Sequence, residues 1–122
     1  MHAIHLKRAY DPPEEDDGLR VLVDRLWPRG LSKDKAAIDH WAKASAPSNE
    51  LRRWFGHDPA RWDEFQSRYR EELQSPEAEE EIATLRALAR KSRMTLLYAA
   101  KDEERNNAVV LRDYLRTAKA RA

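Results

Sequence analysis

Two apolar runs are too short to be helices and too continuous to be surface strands. They are Val21-Leu22-Val23, inside "LRVLVDRLW", and the stretch "MTLLYAA" that begins at Met94. Runs of this length with β-branched residues suit strands buried on both faces, as in parallel sheets. The chain between and after them follows a different rhythm. Trp62, Phe65, Tyr69 and Leu73 recur at three and four residues, as do Ile82, Leu85, Leu88 and Ala89. That is the stripe of an amphipathic helix. Buried strands separated by amphipathic helices predict an α/β domain with a small, mainly parallel sheet of about four strands. At 122 residues the chain has the length of one domain spanning 1–122.

The expected strands are Ala3–Tyr10, Leu19–Asp24 and Thr95–Ala99, and the expected long helices are Pro59–Gln74, Pro76–Lys91 and Asn107–Ala118. Their boundaries come from local chemistry. Asp58-Pro59 and Ser75-Pro76 each place a capping side chain before a proline at the first helical position. Ser32 can cap a helical turn through Ala37, and Ser48 or Asn49 a short helix stopped by Gly56. "DPPEEDDG", Asp11 to Gly18, reads as a loop with nothing to bury. "AIDHWAKASAP" fits a helical face (Ile38, Trp41, Ala42, Ser45) and an alternating strand (Ile38, His40, Ala42) equally well.

Composition removes several classes of function. Without cysteine, disulfide scaffolds and thiolate catalysis are excluded. The net charge of +1, with 37% charged residues, describes a salt-bridged surface rather than a chain that tracks long stretches of phosphate. The first residues, "MHAIHLKRAY", lack the apolar core of a signal peptide. No stretch nears the ~18 apolar residues of a membrane span. A cytoplasmic protein is the expectation. His2 and His5 are a poor metal pair on a strand, and no other cluster has ligand spacing, so neither metal nor cofactor is expected.

In an open parallel sheet, ligands lie beyond the carboxyl ends of the strands. Here those ends carry Tyr10-Asp11, then "DRLWPRG" from Asp24 to Gly30, then Lys101-Asp102 ahead of a helix opening at Asn106-Asn107. Arg25, Arg29 and Lys101 are the expected anion ligands, with Trp27 as a wall and Asn106 and Asn107 at the helix start. Asp24 and Asp102 are the candidate bases. Structural roles compete with each of these. Asp24-Arg25 can be an ion pair tying a loop, Trp27 can be core, either Asn can be a helix cap, and His57 can be a turn residue beside Asp58.

"VDRLWPRG", "WFGHDPARWDEF", "SRYREEL" and "LLYAAKDEERNNAVVL" together resemble the YeaO-like proteins, a bacterial branch of a superfamily known as a domain of unknown function. The resemblance covers nearly the whole chain. It implies a compact α/β fold in which the first and last of these motifs flank a common cleft, and it implies that "IDHWAKASAP" is extended, which adds Ile38–Ala42 to the expected strands. It implies no established activity. The wider superfamily carries a Cys-His-Arg cluster in the loop after the last strand, where this chain has Asn106, Asn107 and Ala108. A thiol-nucleophile or histidine-base mechanism therefore does not carry over.

Three functions fit these residues. One is an enzyme acting on a phosphorylated or otherwise anionic small molecule, bound by Arg25, Arg29 and Lys101, with Asp24 or Asp102 as base. Another is a nucleotide or nucleic-acid binder without chemistry, stacking on Trp27, Trp41 or Trp54. The last is an interaction module whose cleft receives a partner's acidic segment.

Overall fold

The computed structural model describes residues 2–117. Four strands form one sheet in the order β1-β4-β2-β3. They are β1 (Ile4–Arg8), β2 (Leu19–Leu22), β3 (His40–Trp41) and β4 (Met94–Tyr98). Every pairing is parallel: β4 lies between β1 and β2, with Leu6 and Val21 both opposite Leu96. The two continuous apolar runs thus occupy the central strands, where all five residues of β4 are buried. Five α-helices follow the predicted rhythm: α1 (Lys33–Ala36), α2 (Asn49–Phe55), α3 (Trp62–Glu72), α4 (Pro76–Lys91) and α5 (Asn107–Thr117).

The helix starts are where the capping residues put them. Ser32, Ser48 and Ser75 each accept a hydrogen bond from a backbone N–H of the first turn. Asp58 caps too, but the turn it opens, Pro59–Arg61, is a 3-10 helix, and the α-helical stripe begins only at Trp62. The last helix was expected to reach Ala118, which lies outside the described residues. β1, β2 and β3 are shorter than predicted, and β4 keeps its length but starts one residue earlier. The "AIDHWAKASAP" stretch is extended only at His40–Trp41 and then tightens into a 3-10 turn at Lys43–Ser45. Its neighbour β2 is what draws it into the sheet: Asp39 and Arg20 exchange bonds at 2.8 and 2.9 Å.

The main core lies on one face of the sheet. Ile4, Val21, Val23, Met94, Leu96 and Tyr98 meet Phe55, Phe65, Tyr69, Ile82, Leu85, Leu111 and Leu115 from α2 to α5. Among the described residues the opposite face has no helical layer of comparable size. Loops roof it instead. Part of it is apolar: Ala9, Leu22 and Leu97 lie under Trp27, Leu31, Ile38 and Trp41. The rest is polar, and it corrects the reading of Asp11 to Gly18 as a loop with nothing to bury. Asp17 is 4% exposed and is bonded by Arg20 at 2.7 Å and Lys7 at 3.0 Å, while Thr95 donates to its carbonyl at 2.7 Å. Gly18 follows with φ 64, and a Cβ there would run into the Arg93 carbonyl. Only glycine fits this approach of the loop to the start of β4.

Candidate functional site

Because all strands run the same way, β1, β2 and β4 deliver their carboxyl ends to one edge of the molecule. Asp24 leaves β2 there and is mostly buried. Its carboxylate accepts from the Ala99 backbone N–H at 2.9 Å and from Asn107 Nδ2 at 3.0 Å. Asn107 Nδ2 also donates to the Val23 carbonyl at 2.9 Å, which ties the start of α5 to the end of β2. Asn106 is the helix cap: its Oδ1 accepts from Val109 N–H at 3.1 Å, and its own amide donates to the Asp102 carbonyl. Burial pushes the Asp24 carboxyl above the usual range, against the pull of Asn107, Ala99 N–H and the charges of Arg52 and His57.

Around these groups lies a cleft of about 480 Å³. Arg25, Arg29, Arg52, Arg53, Arg105 and His57 line it, and Asp24 is the sole carboxylate among the lining residues. Phe55, Phe65, Trp27, Pro28 and Pro47 supply apolar surface. Among the described residues, Arg105 is the one cleft arginine within ion-pair distance of a carboxylate, at 3.2 Å from Asp102. Arg29 and Arg53 are exposed and make no side-chain hydrogen bond within the described residues. Arg52 makes one bond, to Asn49 at 3.3 Å.

The predicted site residues divide accordingly. Asp24, Arg25, Trp27, Arg29, Asn106 and Asn107 meet in this cleft. Lys101 does not join them. It lies with Asp102 in a more open neighbouring depression that shares Arg29, Tyr10 and His57 with the cleft. The chain turns at Ala99-Ala100, where Arg8 binds both carbonyls at 2.8 and 2.9 Å, and this directs Lys101 outward. Asp102 folds back on its own loop, accepting from Glu104 and Arg105 N–H at 2.9 and 3.0 Å. Those backbone bonds, Arg105 first, hold its carboxyl below the usual range.

The Asp24-Arg25 ion pair does not form. Arg25 instead donates to the Ala46 and Pro47 carbonyls at 2.8 and 3.1 Å, which leaves one terminal nitrogen of its guanidinium without a partner among the described residues. Trp27 combines both of its readings. Its indole N–H binds the Leu31 carbonyl at 2.6 Å and its ring meets Trp41 edge-on at 5.6 Å, yet it also borders the cleft.

Arg52, Arg53 and Arg105 were not anticipated. The one local trace of the first two is their place in the last turns of α2, ahead of the stop at Gly56, which does not say where that helix points. Gly56 and His57 are both left-handed, with φ 52 and 59, and this sharp reversal presents His57 to the cleft. His57 is thus a turn residue and a lining residue at once.

A family model described as the inactive DUF488-N3 subclade matches residues 3–122. The chain belongs to this family. It is 46% identical over 114 residues to the uncharacterized protein YeaO of Escherichia coli strain K12, covering 93% of this chain and 97% of the relative. Uncharacterized proteins of Mycobacterium bovis and Mycobacterium tuberculosis are each 45% identical over 112 residues, covering 92% of both chains. No solved structure matches the chain. Membership of this family accords with the loop chemistry. The amides of Asn106 and Asn107 both serve to fasten the start of α5. Among the described residues no helix is long and apolar enough to cross a membrane, and no group of three His, Asp or Glu residues is placed to hold a metal ion.

Proposed function

We propose that this chain binds a small phosphorylated molecule or nucleotide in the cleft at the carboxyl ends of β1, β2 and β4, and holds it without chemistry. The observation that carries the reading is the imbalance of charge: five arginines and a histidine border one carboxylate. Arginines that brace this fold have their donors occupied, by an acid as Arg20 is by Asp17 or by carbonyls as Arg8 is by Ala99 and Ala100, whereas Arg29 and Arg53 have no side-chain partner among the described residues. Guanidiniums suit phosphate because their planar fork donates two parallel bonds. The cleft volume is within the range of small-molecule sites.

Binding rather than catalysis is favoured by the state of the candidate bases. Asp102 is spent on its loop, and Asp24 is anchored by two donors. The description of the family as inactive points the same way. An extended nucleic-acid track is disfavoured, since the arginines are gathered in one cleft and the chain as a whole is nearly neutral.

Calorimetric titration with pyrophosphate tests this. Arg29→Ala is expected to weaken binding by about 1.5–3 kcal/mol, the scale of a charged hydrogen bond, with the melting temperature little changed. An Arg29→Ala protein that melts early, beside a parent that binds no anion, would make Arg29 a structural brace.

A further inference from the structure

One group does not suit a cleft that holds only an anion. Asp24 lies among the arginines, and its negative charge opposes any phosphate that enters. The fold has a partial reason to keep it there, since it receives Ala99 N–H and Asn107 Nδ2. An ionised carboxylate has about four acceptor positions. These two bonds leave about half of them open, and no Lys, Arg or His among the described residues lies within ion-pair distance of it. The cleft is also far larger than a phosphate requires. Its lining includes the half-buried Trp27 and the edges of the core rings Phe55 and Phe65, and the two large apolar side chains that stand exposed among the described residues, Tyr10 and Leu26, both border it. Small-molecule sites are concave and lined mostly by apolar side chains with a few placed polar groups.

Cations, a carboxylate with open acceptor positions and apolar walls are three separate requirements on one ligand. It needs a phosphate, a hydrogen-bond donor and a ring. Resting on the anion-binding reading above, we infer that Asp24 is the specificity-determining residue of this cleft: it accepts a hydrogen bond from a hydroxyl or amine of a free nucleoside monophosphate whose phosphate sits on the arginines and whose ring lies on the apolar surface. Asp24 then has opposite effects on two ligands. It repels a bare anion and selects an anion that carries a donor.

Calorimetric titrations of the full chain separate these effects. The ligands are pyrophosphate, ribose 5-phosphate, the four common nucleoside 5′-monophosphates and a single-stranded decanucleotide. At least one monophosphate is expected to bind tenfold or more tightly than pyrophosphate and ribose 5-phosphate. Asp24→Asn is expected to weaken that monophosphate about tenfold and to strengthen pyrophosphate.

Because Asp24→Asn also disturbs the Asn107 latch, the parent protein supplies a second test. Nucleotides lacking the 2′-hydroxyl, the 3′-hydroxyl or the exocyclic amine are compared with the complete ligand, and removal of one donor is expected to cost about tenfold. Pyrophosphate binding as tightly as every monophosphate, or equal affinity for all the donor-deleted nucleotides, overturns the role of Asp24 while leaving the arginine site standing. A decanucleotide that binds tighter than any monophosphate overturns the free nucleotide as ligand. Failure of every anion to bind removes the arginine site itself, and the inference with it.

Discussion

Asp17 shows how one residue can replace part of a layer. It lies in an acidic, proline-containing loop that has no apolar side chain before Gly18, yet it is nearly inaccessible and binds both Lys7 and Arg20. Burial alone would raise its carboxyl. The Glu14 backbone N–H and the Lys7 and Arg20 side chains outweigh that and hold it below the usual value of 3.8. A carboxyl lowered in the folded state contributes stability above its unfolded value, and that contribution is lost as pH falls below 3.8 and through the folded value. Asp24 has the opposite sign: its carboxyl is raised, so the folded state binds that proton more readily and protonation near and above pH 3.8 favours folding. Asp17→Ala is expected to cost roughly 3–5 kcal/mol in denaturant melts, because it leaves Arg20 buried without its acid. The parent's steepest loss of stability below pH 3.8 should be blunted in this variant. An Asp17→Ala protein with unchanged stability and an unchanged acid limb would mean that the loop is not held by this residue.

At the scale of elements, α3 links the core to the cleft. Trp62, Phe65 and Tyr69 lie on one stripe, and Phe65 stacks on Phe55 of α2 with centroids 4.4 Å apart. Tyr69 is fully buried and donates to the Ser45 carbonyl at 2.6 Å, which fastens the 3-10 turn after β3. Phe65→Ala is expected to cost about 3–5 kcal/mol, as large-to-small changes in a core do. It should also loosen ligand binding, since Phe65 borders the cleft from below. A loss under about 1 kcal/mol would place this face outside the core.

The elements were legible in the sequence because their signals are local: Ser-Pro and Asp-Pro starts, a 3.6-residue stripe, short β-branched runs. The candidate site was legible where the end of β2 and the start of α5 carry it, at Asp24, Arg25, Trp27, Arg29, Asn106 and Asn107. Arg52 and Arg53 sit on a helix whose orientation depends on how α2 meets α3, and no local pattern states that. Lys101 was misplaced for a similar reason. The turn that Arg8 pins at Ala99-Ala100 sends it to a neighbouring depression.

Over the whole molecule, 23 basic residues nearly balance 22 acidic ones, and the balance conceals a local excess. On the back of the sheet, acids and bases pair, as in the Asp17 network. At the strand ends, arginines collect around a single carboxylate. Net charge therefore says little about the cleft, whereas the arrangement of charge says more. One expected consequence is modest salt dependence. A single-stranded oligonucleotide should show a log–log slope of only about −1 to −3, corresponding to a few phosphates at about −0.7 each. A slope steeper than about −5 in a retention or titration series would indicate an extended track instead.

The most direct test is to find where an anion lands. Titrating pyrophosphate into isotopically labelled protein and following backbone amide resonances maps the contact without altering any residue. The expected shifts fall in three stretches distant in sequence: Asp24 to Arg29, Arg52 to His57, and Arg105 to Ala108. The amides of Lys7, Asp17 and Arg20, on the other side of the sheet, should stay in place. Shifts scattered over the surface lysines and arginines, or none at millimolar pyrophosphate, would contradict an anion site at the strand ends.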